Sequence, residues 1–471
     1  VWRENPDRLL KYALDDVRET EALAKILMQS KFYLSQVIPA TYQDTERYGT
    51  ATIIQALFMR EYVRKRQSIP EADRGTQSWG GFTEIFVRGV VDRLLYSDVS
   101  SLYPAIMRNY GCNPGEKDPI RLFKRCLDAL TEMRLKVKAD MNALIDIVDA
   151  RKKTEDARKV QHGNPELPPL APSEYDDGDS RTTAEIKDEI QVLDAKQASY
   201  KIMINSFYGA MGFTMFLWNN ISEADRVAKT GQDLLKFMIE RIEDMGGTIV
   251  EVDTDGVLFT PDPIPGDPKS GSGINIPRTL DAEKKFSQML TDLMPKGIEI
   301  DHDGSFEKMI CYRKKNYALM KWDSSDKKNP NTLNERINKA KIKGSSLISR
   351  SYEPFGRRYV KEMIGHLLRE DVQGMRDTYL EYRRIIEQSD WEVEDFCKRE
   401  SLKETFDEYL ESVRIYEDHG QGAGGHTRFA RFEVAMRDQK ETGTEYLVGD
   451  AVEYYVARPG NDQKNPGVAD L

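Results

Sequence analysis

The chain has 471 residues, of which 39% are hydrophobic and 31% charged, and its formal net charge is −10. This is the composition of a soluble globular protein with two to four domains, which excludes disorder over most of the length. No apolar stretch approaches the roughly 20 residues that span a bilayer, and the first residues lack the layout of a signal peptide. We therefore predict a cytoplasmic protein without a membrane partner.

Cysteine spacing and charge distribution narrow the class further. The four cysteines are Cys112, Cys126, Cys311 and Cys397, with no CxxC pair, which predicts reduced, mostly buried thiols. Basic residues concentrate between Lys308 and Lys361, whereas acid concentrates in segments such as 174–180. A basic face on an acidic body is typical of a protein that holds nucleic acid in a groove. A solvated lysine-rich surface is the alternative.

The first third of the chain predicts helices followed by a strand. Apolar positions three and four residues apart predict helices over 7–30 and 43–67, which form a leading helical layer. WGGF (79–82) marks a turn, after which RLLYSDV (93–99) reads as a short strand that carries Asp98 near its end. A helix should follow, with Ser100 or Ser101 placed to cap it and Pro104 near its first turn.

The middle of the chain predicts a finger and a hairpin. Long helices over roughly 120–153 and 183–208 should lie antiparallel, and the polar, proline-rich segment between them predicts a mobile tip. A helix over 222–244 leads into GGTIVEVDTDGVLFT, two apolar runs joined by a tight turn, which is typical of a β-hairpin. Beyond about residue 345 the pattern is mainly helical to about 415. Strands in the middle with helical modules inserted and appended predict an α+β fold.

Three aspartates are candidate metal ligands. Alternate residues of a strand point to one face, so Asp253 and Asp255 can project together from the hairpin tip, and Asp98 joins them if its strand lies beside the hairpin. Such carboxylates repel one another unless a cation neutralises them. Mg²⁺ fits because it takes one or two carboxylates with waters and substrate phosphates, and paired ions serve phosphoryl displacement. An Asp-x-Asp turn also occurs for backbone hydrogen bonding alone.

A polar and aromatic stripe lies on one face of each finger helix. The second helix carries Gln197, Lys201, Asn205 and Tyr208 at spacings of four, four and three, and the first carries Arg134 and Lys138. Cations, an amide and an aromatic ring on one stripe suit a triphosphate and a base pair. A solvated amphipathic helix is the alternative.

In their order along the chain, these motifs resemble those of the family B DNA polymerases. DVSSLYPAI (98–106) is similar to motif A, KIMINSFYG (201–209) to motif B and VDTDGV (252–257) to motif C. KKNY (314–317) resembles the family's Lys-Lys-Arg-Tyr element, and KGSSLISR (343–350) the start of its thumb. The resemblance implies a right-hand polymerase with an antiparallel-sheet palm, two-helix fingers and a mainly helical thumb.

The resemblance also implies an activity, its partners and a division into domains. The activity would be template-directed synthesis on primer–template DNA from deoxynucleoside triphosphates with two Mg²⁺ ions, for which Mn²⁺ can substitute. The implied domains are an exonuclease remnant (1–30), a leading helical layer with the first part of the palm (31–118), fingers (119–210), palm (211–342) and thumb (343–471).

Each matching residue takes a role from the resemblance. Asp98, Asp253 and Asp255 would be catalytic, with Asp98, Asp255 and the Val99 carbonyl as metal ligands. Tyr103 would be the gate that excludes a ribose 2′-hydroxyl. Further nucleotide contacts would come from Ser101, Leu102, Arg134, Lys138, Lys196, Lys201, Asn205 and Tyr208. DNA contacts would come from Gly209, Lys314, Lys315, Tyr317, Lys343 and Arg350.

Three positions depart from the family pattern. Gly256 stands where serine is usual, Asn316 where arginine is usual, and Ser78 where tyrosine often precedes the Gly-Gly turn. None of these changes removes a metal ligand. An altered rate or fidelity is therefore expected, not inactivity.

YALDD (12–16) is similar to the family's third exonuclease motif, in which Tyr12 and the metal ligand Asp16 act with acidic motifs further upstream. Because proofreading needs all of these carboxylates, the chain alone is expected not to proofread. It would be a portion of a longer polymerase, or a separate chain would supply the nuclease. A sliding clamp is a further candidate partner. A catalytically silent DNA-binding scaffold and a polymerase that copies RNA remain as alternatives.

Overall fold

The computed structural model describes residues 6–163, 166–168, 170–175, 177–322, 332–344, 347, 349, 352–420, 425–456 and 468–469. Its helices, in chain order, are α1 (Pro6–Leu27), α2 (Gln29–Ser35), α3 (Tyr42–Arg47), α4 (Thr50–Arg64), α5 (Leu102–Asn109), α6 (Leu122–His162), α7 (Thr183–Met211), α8 (Ile221–Asp244), α9 (Leu280–Leu293), α10 (Leu333–Asn338), α11 (Pro354–Arg369), α12 (Val372–Gln388), α13 (Phe406–His419) and α14 (Ala430–Thr442). Among the described residues, no helix combines the length and apolarity needed to cross a bilayer.

The strands form two sheets. They are β1 (Phe82–Ile85), β2 (Gly89–Val99), β3 (Thr248–Thr254), β4 (Gly256–Thr260), β5 (Ile300–Arg313), β6 (Asn316–Lys321), β7 (Lys341–Lys343), β8 (Lys398–Ser401), β9 (Ala451–Val456) and β10 (Val468–Ala469). The larger sheet has the order β1-β3-β4-β2-β5-β6-β7, and the smaller has the order β10-β9-β8. The pairs β3–β4, β2–β4, β5–β6 and β6–β7 are antiparallel. The predicted α+β fold, with its hairpin and long finger helices, is confirmed.

The chain divides into two compact units, each assembled from three segments. The first comprises Val1–Phe82, Val99–Phe237 and Thr291–Ile300, and the second Thr83–Asp98, Met238–Leu290 and Asp301–Leu471. The segments of the two units alternate along the sequence, because the strands of the larger sheet come from distant parts of the chain. The contiguous domain ranges expected from the sequence stay a prediction.

An aromatic cluster forms the core of the first unit at the base of the finger. Phe58 of α4 lies edge-on to Phe123 of α6, Phe216 and Trp218, at centroid distances of 5.2–6.4 Å. All four side chains are fully buried. Edge-to-face rings add to the free energy gained from apolar burial. The cluster thereby fixes the base of α6 on α4, and α7 packs along both helices.

The tip of the finger is anchored by one buried arginine. The Arg151 guanidinium is 2% exposed and donates to the Asp177 carboxylate at 2.5 and 3.0 Å. It also donates to the backbone carbonyls of Asp179 and Arg181 at 2.9 and 2.7 Å. These contacts anchor the described residues of the tip, because a single fork of donors satisfies several acceptors at once. The expectation of a mobile tip stays a prediction.

In the second unit the larger sheet has a helix on one face. Leu94, Val250, Leu258 and Tyr317 belong to one buried cluster of this sheet, while Ile364 and Leu368 of α11 pack on Ile310, Ala318 and Met320. A separate cluster joins the smaller sheet to α13 and α14, where the rings of Tyr409 and Phe432 stack 4.2 Å apart.

The cysteines are free thiols, and Cys112, Cys311 and Cys397 are buried, as predicted.

Candidate active site

Asp98, Gly256 and Asp253 lie side by side on three neighbouring strands. β2 pairs with β4 so that Asp98 faces Gly256, and β3 pairs with β4 so that Asp253 faces Gly256. Paired residues of adjacent strands point to the same face. The strand of Asp98 therefore lies beside the hairpin, which is the condition under which the sequence analysis places Asp98 with the other two acids. Asp255 lies in the two-residue turn, after Thr254, whose φ of +68° is left-handed.

A second hairpin tip reaches the same acids. The turn between β5 and β6 contains Lys314 and Lys315, and Lys315 has a left-handed φ of +57°. The Lys315 ammonium lies 3.3 Å from Oδ1 of Asp253 and donates to the Thr254 hydroxyl at 3.0 Å. The KKNY segment therefore contacts the aspartate hairpin directly.

Asp253 has two further partners. Its Oδ2 accepts a hydrogen bond from the Tyr317 hydroxyl at 3.3 Å and lies 3.4 Å from the Lys343 ammonium. With Lys315, two cations and one hydroxyl thus surround this carboxylate. Burial, followed by the charge of Asp253, raises the pKa of Tyr317 above its ordinary value, so the hydroxyl stays protonated at neutral pH.

Glu251 ties the two hairpin tips together, and sequence reasoning missed it. Its fully buried carboxylate accepts the backbone N–H of Lys315 at 2.7 Å and the Cys311 thiol at 3.2 Å. Burial raises the pKa of Glu251, and these two hydrogen bonds partly offset the rise. The charge pattern alone offers no signal for this role, because Glu251 precedes Asp253 as one more acid on β3.

The acids that remain suit a hard cation. Burial raises the pKa of Asp255, with the charge of Asp253 adding to the rise and Lys343 and Lys315 opposing it. A cation would relieve this unfavourable charge. Within the described residues no three Asp, Glu, His or Cys side chains already surround one point. Mg²⁺ does not need such a cage, since one or two carboxylates with waters and phosphates suffice, so Asp98 and Asp255 fit it.

The first unit holds a separate polar cluster around the start of α5. Ser101 is the N-cap residue with a left-handed φ of +52°, but its side chain caps no backbone N–H, so the predicted capping role is wrong. Its hydroxyl instead accepts a hydrogen bond from Arg134 of α6 at 3.2 Å. Arg134 also donates to Gln197 of α7 at 3.5 Å. Candidates from three helices therefore meet here.

Tyr103 and Tyr208 are packed together in the same unit. Their ring centroids are 4.3 Å apart at an interplanar angle of 41°. A Cβ at Gly231 of α8 would lie 3.2 Å from Cε1 of Tyr103, so this glycine leaves room for the ring. The Gln77 side-chain amide donates to the Tyr208 hydroxyl. Gln77 and Gly231 were not candidates, because neither lies in a patterned motif.

The remaining candidates occupy varied positions. Lys138, Lys201, Asn205 and Gly209 are exposed on α6 and α7, and Tyr12 and Asp16 are exposed on α1. Val99 and Leu102 are buried, Lys196 lies over the Tyr33 ring at 5.1 Å, and Lys314 pairs with Glu84 at 2.8 Å. Arg350 lies outside the described residues.

Acids of the second unit partly neutralise the basic stretch. Lys308 pairs with Glu370 and lies 3.4 Å from Asp92, and Arg358 pairs with Asp395 at 2.7 Å. Ion-paired side chains offer less net charge to phosphates. The expectation of a simple basic face on an acidic body therefore needs correction: part of the charge is used within the fold.

Comparisons with known proteins show the family that the motifs resemble. The family described as DNA polymerase family B matches residues 181–470. The DNA polymerase of Thermococcus gorgonarius is 24% identical over 358 residues, covering 69% of this chain and 39% of the relative. That of Archaeoglobus fulgidus is 24% identical over 335 residues, covering 67% and 36%. That of Paramecium bursaria Chlorella virus NY2A is 26% identical over 219 residues, covering 45% and 22%.

A solved structure shares the fold. The family B DNA polymerase from the hyperthermophilic archaeon Pyrobaculum calidifontis superposes with a TM-score of 0.58 at 20% identity, covering 99% of this chain and 53% of that chain. This likeness supports the expected right-hand fold of palm, fingers and thumb. The chain spans about two fifths of the length of the archaeal relatives and about half of the solved one.

Proposed function

Since the chain belongs to the family B DNA polymerases, we propose that it catalyses template-directed DNA synthesis from deoxynucleoside triphosphates. The primer 3′-hydroxyl loses its proton to solvent and its oxygen bonds to the α-phosphorus, while the bond from that phosphorus to the oxygen that bridges it to the β-phosphorus breaks. The electron pair of the broken bond leaves with pyrophosphate. The substrates are primer–template DNA and the four deoxynucleotides.

The acidic end of the larger sheet would carry the chemistry. Asp98, Asp255 and the Val99 carbonyl would hold two Mg²⁺ ions, which when bound supply activation of the attacking hydroxyl and charge neutralisation of the leaving group. Asp253 would shape the local charge while Lys315, Lys343 and Tyr317 hold it. The observation that carries this proposal is the register that puts Asp98 and Asp253 on either side of Gly256, with Asp255 in the adjoining turn.

The cluster around α5 would bind the incoming nucleotide. The backbone N–H groups of 101–103 lie at a helix start, which suits anions, and Arg134, Lys138, Lys201 and Asn205 would add donors along the triphosphate. Lys196 would add a further cation. Tyr103 would exclude the ribose 2′-hydroxyl, and Tyr208 with Gly209 would pack on the nascent base pair. Support for this comes from the contact of the two tyrosine rings and from the Arg134–Ser101 hydrogen bond.

The domain order and the DNA contacts extend this proposal. Residues 119–210 would be the fingers and 343–471 the thumb. Lys314, Lys315, Lys343 and Arg350 would contact the primer–template duplex, setting its register without reading its sequence. Tyr317 is buried and would act through its hydrogen bond to Asp253. A clamp, or a chain with the rest of an exonuclease site, would be partners.

For the exonuclease reaction we propose that the 471-residue chain alone is inactive. Tyr12 and Asp16, the two residues that resemble the third exonuclease motif, are both exposed on α1. Measurable 3′–5′ degradation of single-stranded DNA by the pure chain would overturn this.

Primer extension tests the synthetic function. The chain is given a primed template, Mg²⁺ and deoxynucleotides, with and without the Asp98→Asn substitution. Extension that depends on Mg²⁺ and is lost in the variant supports the proposal. Duplex binding without any extension would instead indicate a silent scaffold. An RNA template in a parallel reaction tests the remaining alternative.

A further inference from the structure

Position 256 has no space for a side chain. A Cβ there would lie 2.7 Å from the Tyr96 hydroxyl oxygen and 2.8 Å from Oδ1 of Asp98, with Cε2 of Tyr96 closer still. Non-bonded heavy atoms do not approach so closely, since carbon atoms settle about 3.5–4.0 Å apart. The backbone of Gly256 has no left-handed φ. Glycine is therefore required here by the Tyr96 ring, not by the conformation of the turn.

Tyr96 comes from the same strand as Asp98. It lies two residues earlier on β2, so both side chains point to the face that also carries Gly256 and Asp253. The ring is 9% exposed and belongs to the buried cluster with Val250 and Leu258. Its hydroxyl end reaches the acids, which is the usual division of a buried tyrosine into an apolar body and a polar tip.

The Tyr96 hydroxyl oxygen and Oδ1 of Asp98 therefore border the same space, which a single Cβ at position 256 would fill. A hydroxyl in this place can donate a hydrogen bond to the Asp98 carboxylate and so orient it.

We propose that Tyr96 is a positioning residue of the polymerase site, whose hydroxyl takes the place of a side chain at position 256 and orients the Asp98 carboxylate for metal binding. This role deepens the proposed function and rests on it. The Tyr96 side chain, which comes from β2, occupies the space beside Asp98 that a side chain at position 256 of β4 would otherwise occupy. Gly256 and Tyr96 are then interdependent, because a side chain at position 256 requires that the Tyr96 ring first be removed.

Three variants test the dependence of Gly256 and Asp98 on Tyr96. Tyr96→Phe keeps the ring and removes only the hydroxyl. Gly256→Ser alone forces a collision with the ring. The double variant Tyr96→Val/Gly256→Ser returns a hydroxyl from β4 after the ring has been removed. Tyr454→Phe is the matched control, because it removes another buried tyrosine hydroxyl, which donates a hydrogen bond to Glu400 in the smaller sheet.

Two readouts are needed. Titration with Tb³⁺ and its displacement by Mg²⁺ measure ion binding without turnover, and primer extension over a range of Mg²⁺ separates kcat from the Mg²⁺ requirement. Tyr96→Phe should raise the half-saturating Mg²⁺ concentration about tenfold in both assays, the size expected for losing a hydroxyl that faces a charged group, with Tm nearly unchanged. Gly256→Ser should lose binding and extension, and the double variant should recover part of each.

The outcomes separate this inference from the proposed function. Unchanged Mg²⁺ dependence in Tyr96→Phe, or wild-type behaviour of Gly256→Ser alone, would overturn the role of Tyr96. If the wild-type chain does not extend a primer at all, the synthetic function fails, and the Tb³⁺ titration still decides whether Tyr96 affects ion binding.

Discussion

The side-chain amide of Gln77 donates a hydrogen bond to the hydroxyl of Tyr208. The same amide donates to the Trp79 carbonyl at 3.0 Å, so Gln77 joins the segment before β1 to the end of α7. Tyr208 in turn packs on Tyr103. The orientation of both tyrosine rings thus depends on a residue 131 positions from Tyr208 in sequence.

Removing this hydrogen bond should weaken nucleotide binding without stopping catalysis. For Gln77→Met and for Tyr208→Phe we expect KM for the incoming deoxynucleotide to rise about three- to tenfold, the effect of one lost neutral hydrogen bond, with kcat nearly unchanged. Single-nucleotide incorporation kinetics measure both constants. The double variant should be no worse than either single one, because all three lack the same bond. Additive losses would show that Gln77 acts elsewhere.

Removal of a proposed metal ligand should abolish extension. For Asp98→Asn and Asp255→Asn we expect loss of primer extension by several orders of magnitude while Tm is unchanged or higher, since one of several mutually repelling charges has gone. Extension assays and thermal denaturation test the two parts. Asp92→Asn is the control, because Asp92 lies on the same strand with a 67% exposed side chain. Retained activity in either metal-site variant would refute the assignment.

The sugar gate makes a prediction about selectivity. Tyr103→Ala should incorporate ribonucleotides about 10²-fold more readily relative to deoxynucleotides, since a pocket that rejects one added hydroxyl discriminates by about this factor. Competition between the two nucleotide types measures the ratio. Tyr110→Ala, at the other end of α5, should leave it unchanged. An unaltered ratio in Tyr103→Ala would place the gate elsewhere.

The fingertip should loosen when its buried arginine is removed. Arg151→Met removes the guanidinium that donates to the Asp177 carboxylate and to the carbonyls of Asp179 and Arg181. Local opening should accelerate about tenfold or more, the effect of losing a hydrogen bond to a charged group. Amide hydrogen exchange at Asp179 and Arg181 should accelerate, while exchange in α4 stays slow. Lys152→Met, next along the helix and exposed, is the control. Equal protection in the two variants would contradict the anchoring role.

Acid should open the same segment. Hydrogen bonds from Arg151 hold the pKa of Asp177 below its usual 3.8, and those from Arg181 lower the pKa of Asp179 to about 2. The Leu170 amide lowers the pKa of Glu155 from 4.5. Groups with a depressed folded pKa stabilise the fold above the unfolded pKa and lose that effect as pH falls through the folded value.

The fingertip should therefore lose stability only at acidic pH. Protection of the Leu170 amide against exchange, corrected for intrinsic rates, should be constant from about pH 7 to about pH 5 and fall below about pH 4. Glu155→Gln should show weaker protection at neutral pH and a smaller pH dependence. Protection that rises on acidification would have the wrong sign for this mechanism.

Local features of the fold could be predicted because neighbouring residues encode them. Alternation and turn composition predict the β3–β4 hairpin, and three- and four-residue spacing predicts α6, α7 and α8. The order of motifs predicts the family and the three candidate aspartates. One local expectation fails for a local reason: Ser101 adopts a left-handed φ and accepts a hydrogen bond from Arg134 instead of capping α5. The contacts of the buried Arg151 could not be predicted, because its acceptors lie 26–30 residues further along the chain.

The order of motifs along the chain therefore determined the family and the identity of the acids. Residue spacing and turn composition determined the main helices and the hairpin. Only the tertiary structure decided that Tyr96 fills the space at Gly256, that Lys315 and Lys343 flank Asp253, that Glu251 joins two hairpin tips and that Gln77 holds Tyr208. Each of these contacts joins residues on different strands or helices. Strand register and side-chain packing bring them together, and neither follows from the residues adjacent in sequence.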